Sequence, residues 1–167
     1  PYARISNGRL YPLLAKLEEN GLIEVYEEPD QEQRGERHLR SYRLTEDGRQ
    51  RFHTLMMDTT SNPGEYQRIF THKVAVLSFL HPSERLHLID HYINYCQAHV
   101  LHITSEAEDL AAHEDGYFQN NKVSLTATLD VMKHIADQWR LELEWAQRLR
   151  QEEVTRQTVN SSAQNKN

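Results

Sequence analysis

Apolar and polar positions follow two different periods along this chain, and the change from one to the other marks out its parts. Leu10, Leu13, Leu14 and Leu17 recur at helical spacing, with Ser6 placed to cap the first turn. Asn20-Gly21 then ends the helix, because glycine reaches the left-handed conformation of a C-terminal cap at little cost. Pro12 falls beyond the first turn, where its ring crowds the carbonyl of residue 8. That residue is Gly8, so a tightened opening turn is expected. Ile23 and Val25 alternate with Glu24 as in a half-buried strand, and Tyr26 continues it. Pro29, Asp30 and Gly35 are turn formers, and strand signals return at Leu39 to Leu44. Residues 22–28 and 39–44 are therefore expected to pair as a hairpin with a long basic tip. Thr45, ahead of Glu46 and Asp47, caps a further helix that runs through Phe52 and Leu55 to about Met57.

The small polar run DTTSNPG, residues 58–64, is read as a linker between an N-terminal domain, 1–57, and a helical domain, 65–156. Past Gly64 no strand is expected. Tyr66, Ile69, Phe70, Val74, Leu77 and Leu80 keep helical spacing up to His81-Pro82. Leu86, Ile89, Ile93, Cys96, Val100, Ile103, Ala107 and Leu110 then alternate steps of three and four, the seam of a coiled coil. Gly116 and Asn120-Asn121 mark a loop, after which Leu125, Leu129, Met132, Ala136, Trp139, Leu143 and Ala146 repeat the seam. Two such helices form either an antiparallel hairpin or arms that pair with a second subunit. Leu88, Tyr92 and Tyr95 on the first, and Leu141, Trp145 and Leu149 on the second, widen each apolar face beyond one neighbour. This favours a homodimer, with Leu86, Ile89, Ile93, Cys96, Val100, Ile103, Leu129, Met132, Trp139 and Leu143 as its candidate contacts. The polar tail, 157–167, is expected to be frayed and disordered.

Composition narrows the classes. A single cysteine, Cys96, precludes an intramolecular disulfide framework and suits a reducing cytoplasm. No apolar run reaches the ~20 residues of a membrane span, so no membrane partner is expected. There is no Gly-rich phosphate loop, nucleophile elbow or pair of carboxylates in an apolar setting, which reads as a non-enzyme without a cofactor. His87 and His91, with His99 and His102 two to three turns on, share a region of one helix. Metal sites need three or four converging ligands, and Cys96 lies roughly opposite these histidines, so packing or exposed histidines are the favoured reading. The net charge of −6 is awkward for a nucleic-acid binder, although a local basic patch suffices.

The stretch SNGRLYPLLAKLEENGLI, followed by a charged loop and SYRLTEDGRQRF, resembles the recognition helix, wing and following helix of PadR-like transcriptional regulators. The motif residues are Ser6, Gly8, Tyr11-Pro12, Leu14, Leu17-Glu18, Gly21-Leu22-Ile23, Tyr42, Leu44-Thr45 and Gly48, about the first third of the chain. The resemblance implies a mainly α fold: a winged-helix DNA-binding domain followed by long antiparallel helices that form a dimerisation domain. It also implies two helices ahead of Ser6, which this sequence, beginning at Pro1, lacks. The implied activity is regulation of transcription by a homodimer on a pseudo-palindromic operator in double-stranded DNA. Ser6, Asn7, Arg9, Tyr11 and Lys16 are the DNA-contact candidates on the helix, and Arg34, Arg37 and His38 those on the wing. Some members respond to phenolic or other aromatic small molecules. Trp139, Trp145, Tyr92 and Tyr95 are the candidates to wall such an effector site, between the domains or at the dimer interface, against the favoured reading that these rings are simply core. The competing reading is a helical protein–protein interaction module that does not bind DNA, supported by the acidic balance and the missing helices. Against it, Arg9, Tyr11 and Lys16 stand beside an arginine-rich wing, for which such a module has no use.

Overall fold

The computed structural model describes residues 7–26, 40–60, 63–113 and 122–164. The chain divides into two compact units, Pro1–Asp58 and Thr59–Asn167.

In the first unit, α1 (Asn7–Glu19) leads into β1 (Ile23–Tyr26), which pairs with β2 (Ser41–Leu44) ahead of α2 (Glu46–Met57). The strands are antiparallel, with Ile23 opposite Leu44, Glu24 opposite Arg43, Val25 opposite Tyr42 and Tyr26 opposite Ser41. Pro12 is accommodated inside α1. The end of α1 follows from Gly21, whose φ of 68° is the left-handed conformation. There the Leu22 N–H donates to the Leu17 carbonyl at 2.9 Å and the Gly21 N–H to that of Glu18 at 2.9 Å, a Schellman cap. Burial is sparser than the sequence pattern implies. Ile23 and Met56 are buried, but on the leucine face of α1 only Leu14 is half-buried, while Leu10, Leu13 and Leu17 are exposed. Strand alternation likewise holds only at Ile23, since Val25 is 40% exposed.

The second unit is helical throughout its described residues: α3 (Pro63–Val74), a 3₁₀ turn (Leu77–Phe79), α4 (Pro82–Ala112) and α5 (Lys122–Gln164). The apolar run through Leu77 and Leu80 is thus not one helix, because α3 ends at Val74. His81 caps α4: its Nδ1 accepts the Ser83 N–H at 3.4 Å, the Glu84 carboxylate accepts the His81 N–H at 2.9 Å, and Pro82 takes a first-turn position where no N–H is needed.

Helices α4 and α5 run antiparallel. Near the start of α4, Arg85 pairs with Glu153 at 3.0 Å. One and two turns later, Asp90 pairs with Arg150 at 2.6 Å and the Tyr92 hydroxyl donates to Glu142 at 2.9 Å. The two seams therefore close on each other within one chain. Ile89, Ile93 and Cys96 of α4 and Ala136 and Ala146 of α5 are buried. The second apolar face of α4 is covered by α3, whose Phe70 ring stacks on Tyr92 at 3.8 Å between centroids and 13° between planes. Tyr66 meets Tyr92 edge-on at 5.7 Å, and Trp145 of α5 meets Phe70 edge-on at 5.9 Å.

The polar stretch from Gln157, expected to fray, continues α5 to Gln164. The reason is local anchoring: the Gln157 amide donates to the Pro82 carbonyl at 3.0 Å and to Glu153 at 3.1 Å, tying the end of α5 to the start of α4. Residues 165–167 lie outside the described residues.

Candidate nucleic-acid interface

The first unit is held by a clamp that the Thr45-x-x-Gly48 spacing builds. The Thr45 hydroxyl donates to the Gly21 carbonyl at 2.6 Å and accepts the Gly48 N–H at 3.0 Å, capping α2. Its backbone N–H donates to the Leu22 carbonyl at 3.2 Å. One residue thus fixes the start of α2 against the end of α1. Gly48 is needed because α2 lies directly on that turn: a Cβ there would sit 1.9 Å from the Leu22 carbonyl oxygen. Gly48→Ala is expected to cost ~1–3 kcal/mol or more, since a backbone atom must move to admit the methyl group. Chemical denaturation should show the loss, and an unchanged midpoint would mean that the close approach is not maintained in solution.

The hairpin is braced across its strands. Arg43 pairs with Glu24 opposite it at 2.7 Å and lies over the Tyr26 ring at 5.4 Å. Arg49 of α2 binds Glu46 at 2.7 Å and donates to the Leu44 carbonyl at 3.0 Å. Arg43, one of the arginines in the basic run, is therefore occupied within the hairpin, whereas Arg40, just ahead of β2, is exposed.

Helix α1 displays Arg9, Tyr11 and Lys16, all exposed, with Tyr11 67% exposed. At 3.6 residues per turn, Arg9 and Lys16 lie two turns apart along one edge of the polar face. Tyr11 stands on the other edge, so the three flank that face rather than cluster on it. Asn7 opens the helix. Ser6, Arg34, Arg37 and His38 lie outside the described residues.

The second unit rearranges several expectations. Of the ten dimer-contact candidates, Ile89, Ile93 and Cys96 are buried inside the single chain. Leu86, Val100, Ile103, Leu129, Met132, Trp139 and Leu143 are half-buried. The exposed large apolar side chains of α4 and α5 are instead Leu101, Val123, Val131, Leu141 and Val159. Of these, only Leu141 was marked by the sequence, as part of the widened apolar face; Leu101, Val123, Val131 and Val159 fall off the three-four seam.

Of the rings expected to wall an effector site, Tyr95, Trp139 and Trp145 are half-buried and pack against the core. Tyr92 is fully buried, and Tyr95 meets Trp139 edge-on at 5.5 Å. Burial pushes the Tyr92 hydroxyl well up, and the Tyr66 hydroxyl up to about 12. Cys96, buried beside Tyr92, has its thiol pushed up to about 11 by burial, which leaves it an unreactive packing residue.

The histidines do not converge. His91 bonds the Tyr66 hydroxyl at 2.6 Å, His99 stacks on Trp139 at 4.3 Å, and His102 lies 3.4 Å from Glu106. Burial lowers the pKa of both His91 and His99, with a further contribution from neighbouring His87 and His102 respectively. No group of three or more His, Cys, Asp or Glu among the described residues is placed to hold a metal ion. No helix among them is long and apolar enough to cross a membrane.

Residues 2–54 match the family described as "Transcriptional regulator PadR-like family". No curated protein matches the chain. Among solved structures, Bacillus subtilis PadR in complex with p-coumaric acid is similar at 18% identity, over 91% of this chain and 80% of that one, with a TM-score of 0.42. The same protein in complex with operator DNA is similar at 19% identity, over 89% and 79%, with a TM-score of 0.40. Likenesses at that level carry no weight for the site.

Proposed function

We propose, from the PadR-like identity of residues 2–54, that this protein is a transcriptional regulator that binds double-stranded DNA through the first unit and is not an enzyme. What supports the reading is the family match over the segment that forms α1, the hairpin and the start of α2. A helix of this length fits the major groove, with residues near its N-terminus reaching base edges and the positive end of its dipole meeting phosphate. Ser6, Asn7, Arg9, Tyr11 and Lys16 are the proposed groove contacts; Arg34, Arg37 and His38 are the proposed backbone contacts.

The protein acts as a homodimer on a pseudo-palindromic operator, with half-sites about one DNA turn, ~34–36 Å, apart. The exposed Leu101, Val131 and Leu141 are better dimer contacts than Ile89, Ile93 or Cys96, which the protomer already buries. A small-molecule effector belongs to the same reading, and it works in the cytoplasm.

The test is a salt titration of binding to DNA upstream of the coding gene and to random duplex. Arg9→Ala is expected to weaken operator binding by ~1–3 kcal/mol and to relax specificity at one position. Arg37→Ala should weaken all sequences alike and reduce the salt slope by about one. Full-length protein that binds neither DNA at low salt would make the regulator reading wrong and favour the interaction module.

A further inference from the structure

A hydrogen bond between Tyr66 of α3 and His91 of α4 crosses the aromatic cluster, and it admits only one charge state of the histidine. Tyr66 is 2% exposed, and its hydroxyl lies 2.6 Å from His91 Nδ1. The two rings also meet edge-on, at 5.3 Å and 90°. The hydroxyl has no other hydrogen-bond partner among the described residues. A buried O–H without an acceptor is costly, so Tyr66 donates and His91 Nδ1 accepts. Burial pushes the Tyr66 phenol up to about 12, so it keeps this proton at neutral and acid pH. Nδ1 accepts only in a neutral imidazole that carries its proton on Nε2; in the imidazolium both nitrogens are donors. Charging His91 therefore sets two donors face to face, or turns the hydroxyl to accept and leaves its own proton unpaired.

The surroundings oppose a positive charge as well. Lys73 of α3, only 7% exposed, and His87, one turn earlier on α4, both act against protonation of His91. The acids beside these residues in the chain are committed elsewhere. Asp90 of α4 pairs with Arg150 of α5 at 2.6 Å, and Glu65 of α3 pairs with Arg68 at 2.9 Å. Burial, then His87 and Lys73, hold His91 below the ~6.5 of a free histidine. His91 is nonetheless half-buried, so solvent protons reach it. His99, two turns further along α4, is placed differently. Its ring contacts are Tyr95 of α4 and Trp139 of α5, and the indole face on which it stacks favours a cation.

We propose that the Tyr66–His91 contact is an acid-sensitive latch: charging His91 loosens α3 from α4 while the α4–α5 hairpin stays closed. The direction follows from linkage. With α3 lifted, His91 is solvated and titrates near ~6.5; with α3 docked, it titrates lower. Above that range both states are neutral, and docking is independent of pH. Below it the lifted state takes up a proton that the docked state refuses, so the opening constant rises by up to about tenfold per pH unit. The rise levels off once the docked histidine is charged too. The latch belongs to the helical unit and does not rest on DNA binding by the first unit.

The test is hydrogen exchange of the full chain from about pH 7 to about pH 5, with each amide rate compared with its intrinsic rate at that pH. Proton NMR titration of the histidines runs alongside. Amides of α3 are expected to open more readily than those of the hairpin and to lose at least about fivefold in protection across the range. His91→Gln keeps a neutral acceptor for Tyr66 and cannot titrate. It should hold α3 protection within about twofold, whereas His99→Gln should respond as wild type does. The His91 resonance of wild type, a measurement that needs no variant to fold, should titrate below the ~6.5 of a free histidine. His91 titrating at or above that value, an unchanged pH response in His91→Gln, or loss of the response in His99→Gln would each overturn the proposal. So would α3 and hairpin amides opening with one common constant, because the unit would then open as a whole.

Discussion

Glu153→Ala is expected to destabilise the helical unit by ~3–5 kcal/mol, the cost of leaving a nearly buried cation without its partner. The Glu153 carboxylate is buried, and the Arg85 side chain facing it is only 13% exposed. The Arg85 Nε lies 3.0 Å from Glu153 Oε1, within ion-pair distance, yet its N–H is not aligned on that oxygen as a hydrogen bond. Arg156 binds the other carboxylate oxygen, and Gln157 donates to Oε1 while its amide also reaches Pro82. Removing the carboxylate therefore unpairs Arg85 and frees the knot that joins the end of α5 to the start of α4. The pair itself is not a strong source of stability, since two charges had to leave water to form it. The double variant Glu153→Leu with Arg85→Met should consequently recover most of the loss. Urea denaturation of the two variants checks both statements. A single variant as stable as wild type would show that water reaches Arg85 freely.

The other large effect is expected at the aromatic centre. Phe70→Ala should cost ~3–5 kcal/mol, because Phe70 is fully buried and the surrounding rings cannot collapse into the space it leaves. Its ring stacks on Tyr92 at 3.8 Å and meets Trp145 edge-on at 5.9 Å, so truncation removes area and two ring contacts together. Phe70→Leu, which keeps part of the buried volume, should lose roughly half as much as the Ala variant. Near-ultraviolet circular dichroism gives a second readout, since Tyr92 and Trp145 lose a fixed neighbour. An Ala variant with wild-type stability and an unchanged aromatic spectrum would mean that α3 does not dock on α4.

Much of the fold was legible one element at a time. The caps at Gly21 and Thr45, the break at Pro82, the hairpin and the two long seams all rest on interactions within a few residues, which sequence spacing specifies directly. The motif around α1 was likewise legible, in a segment that matches the PadR-like family. The role of Gly48 was not. A glycine three residues into a helix reads as a flaw until the Leu22 carbonyl oxygen is seen lying 1.9 Å from where its Cβ would be. His81 as an N-cap escaped for a similar reason, because its ring does by geometry what Ser or Asp does by type.

The sequence by itself determined which stretches form helices and which of their faces are apolar. Only the tertiary structure decided what each face meets: the seams of α4 and α5 close on one another, and Tyr92 stacks on Phe70 of α3. The reason is that hydrogen-bonded caps and turns are directional and local, whereas burial of apolar surface is neither. A three-four repeat states that a helix has a partner, and the partner is chosen by which ridges, rings and small residues fit together across the chain.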